Sequence, residues 1–308
     1  MIKDIVVKLS VGERASPAED YALSVAATFA AHITGIGFRY YPIVQVAGAP
    51  YTVADDVYGS SFAAGNIPPE VIEMQRRDNA AATKAAIDRF ATASARAGVS
   101  AEPLTPAASL AGAGEQFGRI ARYFDLAVVE QAEPETSAIE EKIIEAALFD
   151  SGRPVIVVPY IQKAPLKLDH VMVCWDGSRA ASRAIADAMP FLERARRVEV
   201  VIVANERGKQ DEIEGADMGQ HLARHGLTVE VERIVASDVD VADMLLSHAA
   251  DAETDFIVMC GYGHSRMREF VLGGVTRSIL RTMTAAVLMS HLARVEQLVM
   301  TALAFQEG

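Results

Sequence analysis

The run Cys260-Gly261-Tyr262-Gly263-His264-Ser265-Arg266-Met267-Arg268-Glu269-Phe270-Val271-Leu272-Gly273-Gly274-Val275-Thr276 is punctuated by glycines. Asp255-Phe256-Ile257-Val258-Met259 before it is short, apolar and β-branched enough for a buried strand, and 275–281 after it has helical spacing. Glycines let a backbone approach a ligand closely, and the unpaired N–H groups of a helix's first turn attract anions. The chemistry on offer is therefore phosphate binding. A second loop, Cys174-Trp175-Asp176-Gly177-Ser178, follows another apolar run and presents one carboxylate, Asp176. In open parallel sheets, ligands bind beyond the carboxyl ends of strands where the strand order reverses. The two loops share one cleft if their strands are neighbours.

The elements that must position these loops occur twice. Ile5-Val6-Val7 pairs with Val171-Met172-Val173, Asp125-Leu126-Ala127-Val128-Val129 with Asp255-Phe256-Ile257-Val258-Met259, and Val155-Ile156-Val157-Val158 with Ala286-Val287-Leu288-Met289. The offset is 166 residues at the first anchor and 130 at the second, so the first copy carries 36 extra residues, most of them within 39–69. Strands are expected near 4–9, 33–38, 99–104, 125–130 and 155–158, then near 169–175, 198–204, 227–234, 255–260 and 286–290. Helices are expected near 17–31, 68–97, 109–123 and 136–149, then near 178–189, 210–225, 238–249 and 275–283. Such alternation predicts an α/β chain of two tandem open parallel five-stranded sheets with helices on both faces. The expected units are 1–162, with its insertion, and 168–291. They are joined by the short linker 163–167 and followed by an amphipathic tail, 292–308.

On these motifs the chain resembles the universal stress protein family over both halves. Nucleotide-binding members of that family carry a Gly, two residues, a Gly, nine residues, then Gly-Ser or Gly-Thr after the fourth strand, and an Asp after the first. Here the pattern reads Cys260, Gly261-Tyr262, Gly263, the nine residues 264–272, then Gly273-Gly274, with Asp176 in place of the family's adenine-contacting acid. The resemblance implies a Rossmann-like, adenine nucleotide α-hydrolase-like strand order 3-2-1-4-5, which makes the first and fourth strands neighbours. It also implies that the two halves pair through their fifth strands, Val155 to Pro159 against Ala286 to Ser290, as a pseudo-dimer within one chain. The implied ligand is ATP or AMP, with no motif that requires Mg. Asp176 would accept the exocyclic amine of adenine. Cys260, Gly261, Gly263, His264, Gly273, Gly274, Val275 and Thr276 would form the phosphate segment. Two positions depart from the pattern. Gly274 lacks a hydroxyl worth roughly 1 kcal/mol as a donor to phosphate, and Cys260 adds a side chain where the family has none.

The first copy keeps the spacing and loses the chemistry. Glu130 stands where Cys260 stands, Gln131-Ala132-Glu133-Pro134-Glu135 replaces the glycine loop, and Ser10 replaces Asp176. Carboxylates there repel phosphate, so the nucleotide site is expected in the second half only.

Other functions find less support. A net charge of -12 argues against a nucleic-acid backbone or an anionic membrane as partner. The apolar runs are too short to span a bilayer, and the start Met1-Ile2-Lys3-Asp4 has no leader character, so a cytoplasmic location is expected. Cys174 and Cys260 both belong at strand ends and read as reduced thiols; a redox pair would need Cα atoms within about 7 Å. Gly112-Ala113-Gly114-Glu115-Gln116-Phe117-Gly118 has the wrong spacing for a dinucleotide fingerprint and reads as a helix-start loop. His221 and His225 are i,i+4 without a third metal ligand. The leading expectation is a nucleotide-binding regulatory module with an unidentified protein partner and a possible second copy of itself as homodimer. A stress protein without nucleotide is the alternative, and a slow ATPase, for which no general base is visible, is the third reading.

Overall fold

The computed structural model describes residues 1–12, 14–46, 49–52, 68–133, 138–204, 210–235, 240–261 and 274–292. The first half runs β1 (Asp4–Lys8), α1 (Pro17–Phe29), β2 (His32–Ile36), β3 (Arg39–Tyr40), β4 (Ile43–Val46), β5 (Ala49–Thr52), α2 (Pro69–Ala97), β6 (Ala101–Leu104), β7 (Ala107–Ala108), α3 (Ala113–Ala121), β8 (Leu126–Glu130), α4 (Ala138–Phe149) and β9 (Val155–Val158). The second runs β10 (His170–Cys174), α5 (Arg179–Leu192), β11 (Arg197–Ala204), α6 (Gln210–Arg224), β12 (Val229–Val235), α7 (Val241–Asp251), β13 (Phe256–Cys260), α8 (Gly274–Thr282) and β14 (Ala286–Ser290). Among the described residues no helix is long and apolar enough to cross a membrane.

The two expected five-stranded units join through their fifth strands into one ten-stranded sheet, in the order β12-β11-β10-β13-β14-β9-β8-β1-β2-β6. Each half contributes its strands in the order 3-2-1-4-5, all parallel, and the halves meet where β14 and β9 pair antiparallel, Val287 opposite Val157 and Met289 opposite Val155. The physical reason lies in the composition of these strands. VIVV and AVLMS are fully buried runs, and neither carries the charge or proline that would protect an open sheet edge.

Both faces of the sheet are covered, and alternation along each strand decides which core a residue enters. Val171 and Val173, Phe256 and Val258, and Ile156 and Val158 face a core made with α1, α2, α5 and α6. Met172, Ile257, Met289, Val155 and Val157 face the opposite core, made with α3, α4, α7 and α8. Each core runs across the junction, so the halves are packed as one body. Phe29 of α1 lies edge-on to Phe191 of α5 at 4.8 Å, Phe191 stacks on Phe256 at 5.2 Å, and the Arg194 guanidinium sits 4.4 Å over the Phe29 ring. Aromatic contacts of this kind add about 0.5–1.5 kcal/mol each beyond their burial.

Helix α5 outlasts the stop expected at residue 189. It continues through Pro190 to Leu192 because Phe191 and Leu192 are both completely buried, and their burial offsets the lost N–H of the proline. In the insertion, β3 pairs with β7 and β4 with β5, small pairings that the sequence pattern does not announce. Residues 53–67 lie outside the described residues. The glycine series 112–118 also has a different role from a helix-start loop. Gly112 caps α3, but Gly114 and Gly118 lie inside it, where a Cβ would fall 2.8 Å from the Lys142 carbonyl oxygen and 2.7 Å from that of Ala146. These glycines let α3 and α4 touch backbone to backbone.

Candidate functional site

The expected cleft lies where β10 and β13 sit side by side, in register from Val171 opposite Phe256 to Val173 opposite Val258. Strand order reverses here, because β10 continues to β11 on one side while β13 lies on the other. Past β10 the chain turns at Gly177, φ +72°. Asp176 is exposed, its Oδ1 accepts the Ser178 N–H at 2.9 Å, and the Ser178 hydroxyl caps α5 by accepting from Ala181 N at 3.0 Å. The turn thus holds the Asp176 carboxylate at the rim of the cleft, open to solvent.

Across the cleft, Cys260 ends β13 and is 8% exposed, packed in the same core as Phe256 and Val258. Gly261 follows, buried, with its N–H donated to the Ser290 carbonyl at 2.9 Å. Gly263, His264 and Gly273 lie outside the described residues, as do Arg266 and Arg268. The chain is described again from Gly274, which opens α8. Gly274 is exposed, Val275 packs partly against the second core, and Thr276 is 1% exposed in the first turn. A Cβ built on Gly274 would meet none of the described residues within 4 Å, whereas one on Gly261 would lie 2.5 Å from Leu148 Cδ2. The two glycines differ: Gly261 is required by packing, and Gly274 leaves open space at the helix start. Trp175 Nε1 and Ser290 Oγ, at this same end of the sheet, are buried with no hydrogen-bond partner among the described residues. Unmet donors at a cleft fit a ligand that brings acceptors.

The thiols do not form a pair. Cys260 faces the core of α5, whereas Cys174, on the same alternation as Met172, faces the core of α7 and α8. Side chains on opposite faces of a sheet cannot be bridged without moving the backbone. Burial pushes Cys174 up to about 12, helped by Cys260 and Asp176, and pushes Cys260 up to about 11, opposed by a hydrogen bond from Ser178. Both therefore stay uncharged near neutrality, and Cys260 adds no negative charge that would repel phosphate.

The equivalent place in the first half is filled by the chain itself. Lys8 stands where Cys174 stands and lies 3.3 Å from Glu140 Oε1. Arg89 Nη2 donates to the Ser10 carbonyl at 2.9 Å, and Glu19, 2% exposed, accepts from the N–H groups of Ser10 at 2.7 Å and Ser16 at 3.1 Å. Burial pushes Glu130 up to about 7; Lys8 opposes this, and Glu140, Glu133 and Glu19 add to it. The space left between Lys8, Ser10, Ser16, Glu130, Glu140 and Ile143 is about 10 Å³, enough for one water at most.

Several groups escaped the sequence pattern. Gln131 is 1% exposed and reaches across the junction to the Leu280 carbonyl at 2.9 Å. Glu199, 7% exposed on β11, lies between two histidines, 3.0 Å from His170 Nε2 and 3.1 Å from His248 Nε2. A glutamate inside the apolar run RVEVVIVA was the available signal for this cluster. It sits at the amino ends of the strands, away from the candidate cleft. The larger cavity, about 710 Å³, flanks α8 between Glu141 and Glu145 of α4, Asp243 of α7, and Arg277 and Arg281. None of Asp176, Cys260, Gly261 and Gly274 lines it, and its three carboxylates outnumber its two guanidinium groups.

The model of the universal stress protein family matches residues 167–291. No curated protein matches the chain. Among solved structures, a universal stress protein from Archaeoglobus fulgidus DSM 4304 aligns with 94% of this chain and 96% of its own, at 15% identity and a TM-score of 0.69. A putative universal stress protein from Pseudomonas aeruginosa UCBPP-PA14 aligns with 94% of this chain and 93% of its own, at 12% identity and a TM-score of 0.60. A functionally unknown protein from Pseudomonas aeruginosa PAO1 aligns with 94% and 92%, again at 12% identity and 0.60. At these identities the likeness is one of fold, and it extends over both halves.

Proposed function

Because residues 167–291 match the model of the universal stress protein family, we propose that the chain is a regulatory module of that family binding one adenine nucleotide, ATP or AMP, in its second half. The observation that carries this reading is the adjacency of β10 and β13 at the strand-order reversal, with the exposed Asp176 carboxylate beyond one strand and the start of α8 after the other. Asp176 would accept from the adenine amine, while the N–H groups of Gly274, Val275 and Thr276 would face the phosphates with the positive end of the helix dipole behind them. Gly263, His264 and Gly273 complete the proposed phosphate segment. Residues 1–162 are proposed as a diverged copy that has exchanged its ligand site for internal ion pairs, joined to 168–291 as a pseudo-dimer. The tail 292–308 is left for contact with a protein partner or a second copy of the chain. A cytoplasmic setting suits an acidic chain with two unpaired thiols.

One observation favours the alternative, a stress protein that works without nucleotide. Gly274 offers no hydroxyl to the phosphates although the space beside it is open. Native mass spectrometry of the purified chain with ATP or AMP at millimolar concentration separates the two. A one-to-one adduct is expected, and its absence with both nucleotides would leave the alternative standing.

A further inference from the structure

The two halves hold each other unequally, and the inequality falls on the proposed nucleotide segment. Gln131 and Gly261 are equivalent positions, 130 residues apart. Each donates its backbone N–H to the end of its own fifth strand, Gln131 to Val158 at 2.8 Å and Gly261 to Ser290 at 2.9 Å. Beyond that point they diverge. The Gln131 amide crosses into the second half, where Nε2 donates to the Leu280 carbonyl at 2.9 Å while Oε1 accepts from the Tyr160 N–H at 3.3 Å. Gly261 has no side chain with which to reach back.

Leu280 lies in the last turn of α8, whose carbonyls have no partner inside the helix. Gln131 therefore caps the far end of the helix whose near end would face the phosphates in the proposed nucleotide site. A helix of nine residues is marginal by itself and takes its position from its packing. That packing comes partly from the first half, since Ile279 and Leu280 share a core with Ile143, Ile144, Ala147 and Leu148 of α4. The other end of the segment is held in the same way. Gly261 lies against Leu148, and its carbonyl accepts from His291 Nδ1 at 3.1 Å. The His291 ring meets Phe149 edge-on at 4.8 Å.

We infer that Gln131 is a positioning residue for the second half's nucleotide site: the first half, having lost a phosphate loop of its own, fixes α8 and so sets nucleotide affinity. The inference rests on the nucleotide reading, but its structural part can be tested without any nucleotide. The test compares the full chain with its Gln131→Met variant, which keeps the volume and removes both hydrogen bonds. Amide hydrogen exchange over 274–282 is followed without ligand, and binding of ATP is titrated in parallel. The expected result is exchange about 5-fold faster in α8 and ATP affinity about 5-fold weaker, with the exchange of β10 and β11 unchanged. Unchanged exchange in α8 would overturn the inference whether or not the wild-type chain binds ATP. Faster exchange with unchanged ATP affinity would overturn the link to nucleotide and leave the nucleotide reading intact. If the wild-type chain binds no ATP, the nucleotide reading fails and the α8 exchange alone judges the cap. Should Gln131→Met fail to fold, Phe149→Leu, which loosens the His291 contact at the start of the segment, is judged by the same two readouts over 261 and 274–282.

Discussion

At matching places in the two halves, one fold carries two opposite clefts. In the first half, Lys8, Ser10, Ser16, Glu130 and Glu140 crowd the space, with Lys8 paired to Glu140, leaving about 10 Å³. In the second, Cys174, Asp176, Cys260 and Gly261 stand at the matching strand ends with uncharged thiols, one exposed carboxylate and a glycine. The strand order is identical in both. The fold therefore tolerates different chemistry at its strand ends, because the buried alternation of the strands, not the loops at their ends, builds the sheet. Next to this closed space, Gln131 turns instead to the junction, where Nε2 donates to the Leu280 carbonyl at 2.9 Å.

The largest change expected from a test of this contrast comes from Gly261→Ala. Its Cβ would collide with Leu148 in a full core, so chemical denaturation should show a loss of about 1–3 kcal/mol. Gly274→Ala, in open space at the helix start, should stay within about 0.5 kcal/mol of wild type. Equal effects at the two glycines would break the distinction between packing and open helix start.

Next in size is Glu130. Its folded-state pKa of about 7 stands above the ordinary 4.5 because burial disfavours the charge. The folded chain then keeps a proton that the unfolded chain has released. The stability this contributes is fully present below about pH 4.5 and is lost as pH rises to 7. Glu130→Gln should therefore raise the melting temperature at pH 8 by a few degrees, reflecting about 2 kcal/mol after discounting for solvent screening, and change little at pH 4.5. A gain of the same size at both pH values would mean that the carboxylate charge is not the cause.

The smallest effect sharpens the second cleft. Gly274→Ser adds the missing hydroxyl and should tighten ATP binding about 5-fold, measured by fluorescence titration. Weaker binding would show that the first turn of α8 does not face the phosphates.

Much of this was legible in the sequence. The paired apolar anchors placed the strands, since buried parallel strands are unbroken apolar runs, and the Cys260 to Thr276 spacing pointed to the end of β13. What escaped depends on contacts between residues far apart in the chain. No local pattern shows that Gln131 reaches Leu280, that Glu199 is held between His170 and His248, or that Phe191 and Leu192 carry α5 past Pro190. The Cys174 and Cys260 faces were readable by alternation from Met172 and Val258, but only once the strand register was known.

The central claim, one nucleotide site per chain and that site in the second half, is tested most directly by calorimetric titration of the wild-type, Asp176→Ala and Ser10→Ala chains with ATP. The account predicts one site per chain, unchanged in Ser10→Ala and weakened about 10- to 100-fold in Asp176→Ala by loss of a charge-assisted hydrogen bond. Two sites per chain, or one that is indifferent to Asp176, would contradict it.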